Sequence, residues 1–90
     1  MPTVHFTRHL ESFFPGLGTQ EVPGESVAEV LGVLNVRYPG LAAYILDEHG
    51  ALRKHVNVFV DESMVHDRMR LSDAVGPGTR IHVLQALSGG

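Results

Sequence analysis

Ser26-Val27-Ala28-Glu29-Val30-Leu31-Gly32-Val33-Leu34-Asn35-Val36-Arg37-Tyr38-Pro39-Gly40 is the stretch whose reading decides the fold. Apolar residues recur at Val27, Val30, Leu31 and Leu34, the i, i+3, i+4, i+7 spacing of a helix with one buried stripe. Ser26 and Glu29 read as a capping box. The Ser26 hydroxyl accepts from the backbone N–H of Glu29, and the Glu29 carboxylate reaches back to the N–H of Ser26. Pro39 pushes Tyr38 out of helical geometry, so the helix ends there. A single apolar stripe needs a surface to pack on, and the flanking sequence has to supply it.

Upstream, Thr3-Val4-His5-Phe6-Thr7 alternates polar and apolar residues, a strand with Val4 and Phe6 facing inward. Phe13-Phe14-Pro15-Gly16-Leu17-Gly18 breaks it with a turn or wide loop. Gln20-Glu21-Val22 reads as a short returning strand ending at Pro23-Gly24. Downstream, residues 41–46 are apolar and read as one further helical turn, and Asp47-Glu48-His49-Gly50 as a turn. Val56-Asn57-Val58-Phe59-Val60 is the clearest strand, rich in β-branched residues. Residues 64–69 read as a short strand and 71–75 as a turn of helix. Gly76-Pro77-Gly78 is a firm breaker. Residues 79–84 form a last strand, with Ile81 and Val83 on one face and His82 and Leu84 on the other. A hairpin, one main helix and then more strands predict an α+β domain, a mixed sheet of four to five strands with the helix on one face. Residues 1–85 form that single domain, and residues 86–90 a flexible C-terminal tail.

Composition narrows the function classes. The 90 residues are 43% hydrophobic and 19% charged, which suits one small globular core. No apolar run approaches the roughly 18 residues a membrane span needs. The first residues carry no long apolar stretch of a secretory signal, which makes the cytoplasm the expected compartment. There is no cysteine, so disulfides, zinc-thiolate sites and thiol nucleophiles are excluded. A net charge of −3 gives no electrostatic footprint for nucleic acid. The chain has one lysine, Lys54, so a lysine-linked polymer has one candidate residue. So few candidate catalytic groups point to a carrier or binding module rather than a free-standing enzyme.

The chain ends Gln85-Ala86-Leu87-Ser88-Gly89-Gly90. These residues follow the last strand directly and hold nothing that anchors a core. Two readings stand: a frayed end, or an arm that presents a carboxylate. Glycine has no Cβ, so an active-site channel can close around Gly89 and Gly90. Six extended residues span about 20 Å at roughly 3.3 Å each. A carboxylate is a poor electrophile, and adenylation by ATP turns it into an acyl phosphate anhydride with a good leaving group. A sulfur nucleophile then leaves a thiocarboxylate, which holds sulfur without a cysteine.

Val56 to Asp61, Gly78-Thr79 and Ala86-Leu87-Ser88-Gly89-Gly90 resemble the MoaD/ThiS family of ubiquitin-like sulfur carriers. That family carries a V-N-V/I-F/Y-V-N/D strand, a G-D or G-T turn before the last strand and a terminal A-V/L-x-G-G. The helix lies where the family helix does, whereas residues 11–20 match only loosely. Many members place proline where this chain has Gln85. The resemblance implies a ubiquitin-like β-grasp and a chain that performs no turnover itself. It binds no cofactor. A partner resembling ubiquitin-activating enzymes uses ATP to adenylate Gly90, a sulfurtransferase or sulfide donates sulfur, and a biosynthetic enzyme accepts it. Segment 52–60 is most similar to carriers that serve cysteine biosynthesis. The alternatives are the small subunit of molybdopterin synthase, a modifier forming isopeptide bonds with lysines, and a plain interaction domain with an incidental diglycine.

If Val56, Val58 and Val60 pack on the helix, alternation turns Asn57 and Phe59 outward. Phe59 and Leu84 then form either an exposed apolar docking patch near the tail or a surface covered by a loop or by residues 41–46. Leu87 reads as a tail contact. Of the six histidines, His5 and His9 have i, i+4 spacing but fall on the predicted strand, too far apart to share a metal, so no metal site is expected. Ser63 and Ser88 have no plausible His and Asp partners for a hydrolase triad. Pro15-Gly16-Leu17-Gly18 precedes no helix and lacks the lysine and hydroxyl of a phosphate loop. The acidic residues Asp61, Glu62, Asp67 and Asp73 read either as solvated or as a face toward a basic partner.

Overall fold

The computed structural model describes residues 1–85. The residues Leu87, Ser88, Gly89 and Gly90, with Ala86, lie outside the described residues. Within them the chain runs β1 (Thr3–Phe6), α1 (Arg8–Phe13), β2 (Gln20–Glu21), α2 (Val27–Arg37), α3 (Leu41–Ile45), β3 (Val56–Val60), β4 (Ser63–Met64) and β5 (Arg80–Gln85). The sheet order is β2-β1-β5-β3-β4. β1 and β5 are parallel at its centre, and every other pairing is antiparallel. The long connection between the parallel pair carries α2 across one face, which is the β-grasp arrangement expected from the sequence.

The stripe read from α2 is the core. Val27, Val30 and Leu34 are fully buried and Leu31 nearly so. They meet Val4, Val56, Val58, Ile81 and Val83, the inward set of β1, β3 and β5, in one cluster. Each such side chain contributes about 1.5–3 kcal/mol through burial. Ser26 Oγ accepts from the N–H of Glu29 at 3.2 Å as expected. The second half of the box differs: Glu29 Oε1 accepts from the N–H of Glu25, at 3.3 Å, one residue earlier than predicted. The helix stops at Tyr38, and Asn35 Oδ1 accepts from the N–H groups of Gly40 and Ala42 to start α3.

Three local expectations are corrected. His9 does not extend the first strand but sits on α1, where Leu10 is the buried residue. The short strand expected over residues 64–69 is only Ser63–Met64. Residues 71–75 are not helical. Leu71 adopts a left-handed φ of 55°, and the carbonyls of Leu71 and Asp73 accept from the N–H groups of Ala28 and Val27. The segment caps α2 from outside, since these helix-terminal donors have no partner within the helix.

Candidate functional site

β5 is held on both sides, by β1 over Arg80 to Val83 and by β3 over Ile81 to Gln85. Its final pair is Gln85 opposite Val56. The end of the described chain is therefore held at a fixed point, and Gln85, where many members of the resembled family have proline, takes part in the ladder. The candidate residues Leu87, Ser88, Gly89 and Gly90 lie beyond it, outside the described residues.

The sheet face opposite α2 carries the residues read as a candidate partner patch. Phe59 is opposite His82, and Leu84 is opposite Asn57, so Phe59 and Leu84 are diagonal neighbours on one face. Leu84 is 42% exposed, whereas Phe59 is only partly exposed. Sequence reasoning missed Met64, which pairs with Phe59 from β4 and is 47% exposed. Its position became visible only once the β3–β4 register was known.

His5 and His82 lie directly opposite each other on the parallel strands β1 and β5, and their rings stack at 4.4 Å, only 8° from parallel. Thr19 Oγ1 is 3.0 Å from His5 Nδ1. Partial desolvation lowers the His5 pKa from its ordinary value, and the charges of His82 and Arg80 lower it further. Among the described residues no cluster of three or more His, Asp or Glu is placed to hold a metal ion.

The helix side of the tail root is aromatic. Tyr44 of α3 stacks on Phe13 at 5.2 Å and meets Phe14 edge-on at 5.3 Å, while His9 meets Phe13 edge-on at 5.3 Å. Tyr44 and Ala43 border an open groove of about 430 Å³ with Arg53, His55 and Gln85. Gln85 Oε1 is buried there with no hydrogen-bond partner among the described residues. No local pattern announced this cluster, because α1 and α3 come together only through tertiary packing.

Arg68 braces the same end of the sheet. Its guanidinium donates to the carbonyls of Arg53 and Val56 at 2.9 and 3.0 Å and to Asn57 Oδ1 at 3.1 Å. The turn that enters β3 is thereby fixed against the loop after β4.

The ThiS family model matches residues 13–90. Among solved structures, a chain of the Amycolatopsis orientalis BexX/CysO complex is 26% identical with a TM-score of 0.86, covering 100% of both chains. Mycobacterium tuberculosis CysO, described as an antigen, is 24% identical with a TM-score of 0.84, over 97% of this chain and 100% of that one. The small archaeal modifier protein 1 from Methanosarcina acetivorans is 22% identical with a TM-score of 0.80, over 99% of this chain and 95% of that one. Among curated proteins no sequence matches. No helix among the described residues is long and apolar enough to cross a membrane.

Proposed function

We propose that this chain, which belongs to the ThiS family of ubiquitin-like sulfur carriers, holds sulfur on the carbonyl of Gly90 and delivers it to a biosynthetic acceptor. The Gly90 carboxylate attacks the α-phosphorus of ATP in a separate activating enzyme, and pyrophosphate leaves. Sulfide attacks the resulting acyl adenylate directly, or the persulfide of a sulfurtransferase attacks it and a second thiol of that enzyme then breaks the S–S bond of the acyl disulfide, leaving as a disulfide with the first. A C–S bond forms, the C–O bond to AMP breaks, and the thiocarboxylate carries the sulfur onward. The chain supplies the acyl group and the docking surface, and the partners supply catalysis.

One observation carries this reading. The central strand β5 ends at a braced root, five residues before Gly90 and beside the half-exposed Leu84. A partner that grips Phe59, Leu84 and Met64 thus meets the chain beside the end of β5, and the five residues from there to Gly90 can span at most ~17 Å. The BexX/CysO complex supports association of such a carrier with another protein. Cysteine biosynthesis is the pathway we favour, on the resemblance of segment 52–60 and the two neighbours named CysO.

Intact-mass spectrometry tests the reading. Incubation with an activating enzyme of this type, ATP and sulfide should add about 16 Da, as sulfur replaces oxygen at Gly90. A variant lacking Gly89 and Gly90 should keep its fold and gain nothing. An unchanged mass with an enzyme shown to adenylate this chain, or an equal gain in the truncated variant, overturns it.

A further inference from the structure

Charge is unevenly placed along β3. At its entrance stand Arg53, Lys54 and His55, three consecutive exposed side chains. The Leu52 N–H donates to the Arg68 carbonyl at 2.8 Å, and Arg68 Nη2 donates to the carbonyls of Arg53 and Val56, so a third permanent cation is fixed at the same end. At its exit the exposed Asp61 and Glu62 form the turn into β4. Glu21 lies at that end too, opposite Thr3, which is itself opposite Arg80, the cation among them. Five residues of strand hold the two ends about 17 Å apart. That is twice the roughly 8 Å screening length of physiological salt, so each end presents its own sign to a partner.

The basic end keeps its charge. Among the described residues the one ion pair joins Glu48 to His49 at 3.6 Å, so Arg53, Lys54 and Arg68 take part in none. The neighbouring Asp47 and Asp67 accept instead from main-chain N–H groups of their own loops, those of His49 and Ala51 and those of Met69 and Arg70. Arg53 uses its Nε on the Ala43 carbonyl at 2.9 Å and makes no other side-chain hydrogen bond among the described residues. That bond sets its guanidinium at the edge of the open groove that Tyr44, His55 and Gln85 also line. The Tyr44 hydroxyl, the His55 ring and the remaining guanidinium N–H groups can all donate to a carboxylate. On the other side, Asn57 Oδ1 accepts from Arg68 and Asn57 is opposite Leu84, so the basic end adjoins the face of Phe59, Leu84 and Met64.

We propose that the entrance of β3 is a docking site for an acidic protein segment, one carboxylate side chain of which enters the groove between Tyr44, Arg53 and His55. The site rests on the reading of the chain as a carrier handled by a separate activating protein, which is the protein that presents the acidic segment. The charge pattern selects this class of partner. Three permanent cations on one short edge match one or two carboxylates. A nucleic acid carries a phosphate about every 3.4 Å of each strand and needs a longer basic track, on a chain without an excess of acid; here the net charge is −3. The opposite sign at the exit of β3 orients the approach. An acidic partner attracts one end and repels the other, so encounter is steered toward the end where Gln85 pairs with Val56.

The site is tested first without an activating enzyme. The full chain is titrated at low salt with a hexapeptide of alternating glutamate and glycine, and amide resonances are followed by NMR. Shifts should be confined to residues 43–44 and 53–55. They should vanish at about 0.3 M salt and in the double variant Arg53→Gln with Lys54→Gln, whose fold is checked by circular dichroism. Arg53→Lys keeps the charge and should keep the shifts, which separates charge from the loss of the Ala43 bond. No shift with the glutamate peptide, equal shifts with a glutamine–glycine peptide, shifts centred on Arg80, or tighter binding of a thymidine hexanucleotide would each overturn the proposal. A second arm measures affinity for an activating enzyme that loads this chain. The double variant should bind about fivefold or more weakly at low salt and converge with the wild type as salt rises. Equal affinity at every salt, with sulfur loading intact, sinks the docking site and leaves the carrier reading standing. Peptide binding at residues 53–55 by a chain that no activating enzyme loads does the reverse.

Discussion

Replacing Arg68 by methionine isolates the brace at the root of the arm. Methionine keeps much of the aliphatic stem, so the lost interaction is the guanidinium fork. That fork donates to two main-chain carbonyls and one side-chain carbonyl at 2.9–3.1 Å, all belonging to residues 53–57. A hydrogen bond with a charged partner contributes about 1.5–3 kcal/mol where it is shielded. Arg68 is only half-buried, and water recovers part of each lost bond, so the three together are expected to contribute about 2–3 kcal/mol. With a urea slope of roughly 1 kcal/mol per molar for so small a domain, the unfolding midpoint of Arg68→Met should fall by about 2–3 M. Arg68→Lys keeps the charge, but an ammonium is a compact donor that does not span three acceptors, so its midpoint should lie between the two. Urea titration followed by circular dichroism reads both. A midpoint for Arg68→Met within about 0.5 M of wild type, or Arg68→Lys equal to wild type, would refute the claim that this fork fixes the turn before β3.

Gly24 has φ +153°, and a Cβ there would stand 2.8 Å from Val30 Cγ2 and 3.0 Å from the Val30 nitrogen. Gly24→Ala should lower Tm by at least about 5 °C in a thermal melt. Gly16→Ala, at φ +89° with open space around the new methyl, should lower it less, and the reverse order would remove the steric explanation. Asp67 is held below the ordinary aspartate value chiefly by the Ser72 hydroxyl, and Asp73 chiefly by the N–H of His66. A native pKa below the unfolded one gives stability present in full above the ordinary value near 3.9 and lost as pH falls through the native value. Urea midpoints should therefore decline from about pH 5 downward, and Asp67→Asn with Asp73→Asn should flatten that decline; an unchanged acid limb contradicts the assignment. Leu84→Asp should leave stability within about 0.5 kcal/mol, because the side chain is already half-exposed, yet weaken binding to an activating partner at least about tenfold. Unaltered affinity in a titration would take Leu84 out of the interface.

What the sequence made legible follows from where each element draws its stability. α2 carries its own signals, the stripe, the Ser26 cap and the Pro39 stop, and it forms where they say. β3 and β5 show period-two alternation because one face is buried against α2 and the other is not. α1 was missed because it has six residues, one buried side chain and a Thr7 cap that makes no side-chain hydrogen bond. Nothing local favours it, and packing alone holds it. Residues 71–75 misled in the opposite sense. Leu71, Ala74 and Val75 have helical spacing, but the carbonyls of Leu71 and Asp73 are taken by donors of α2 over forty residues earlier in the chain. A long-range cap leaves no periodic trace.

The same division governs the candidate site. The diglycine and the outward Leu84 are properties of short stretches, so a linear reading reaches them. The meeting of Phe59, Leu84 and Met64 is a property of topology. In sequence Met64 is 20 residues from Leu84 and nothing around it marks an exposed patch. It joins Phe59 only because β4 turns back antiparallel along β3, and Phe59 comes beside Leu84 only because β3 runs antiparallel to β5. The strand order thus does more than hold a core: it gathers three apolar side chains from three strands onto the face opposite α2, which no single stretch of the sequence could announce.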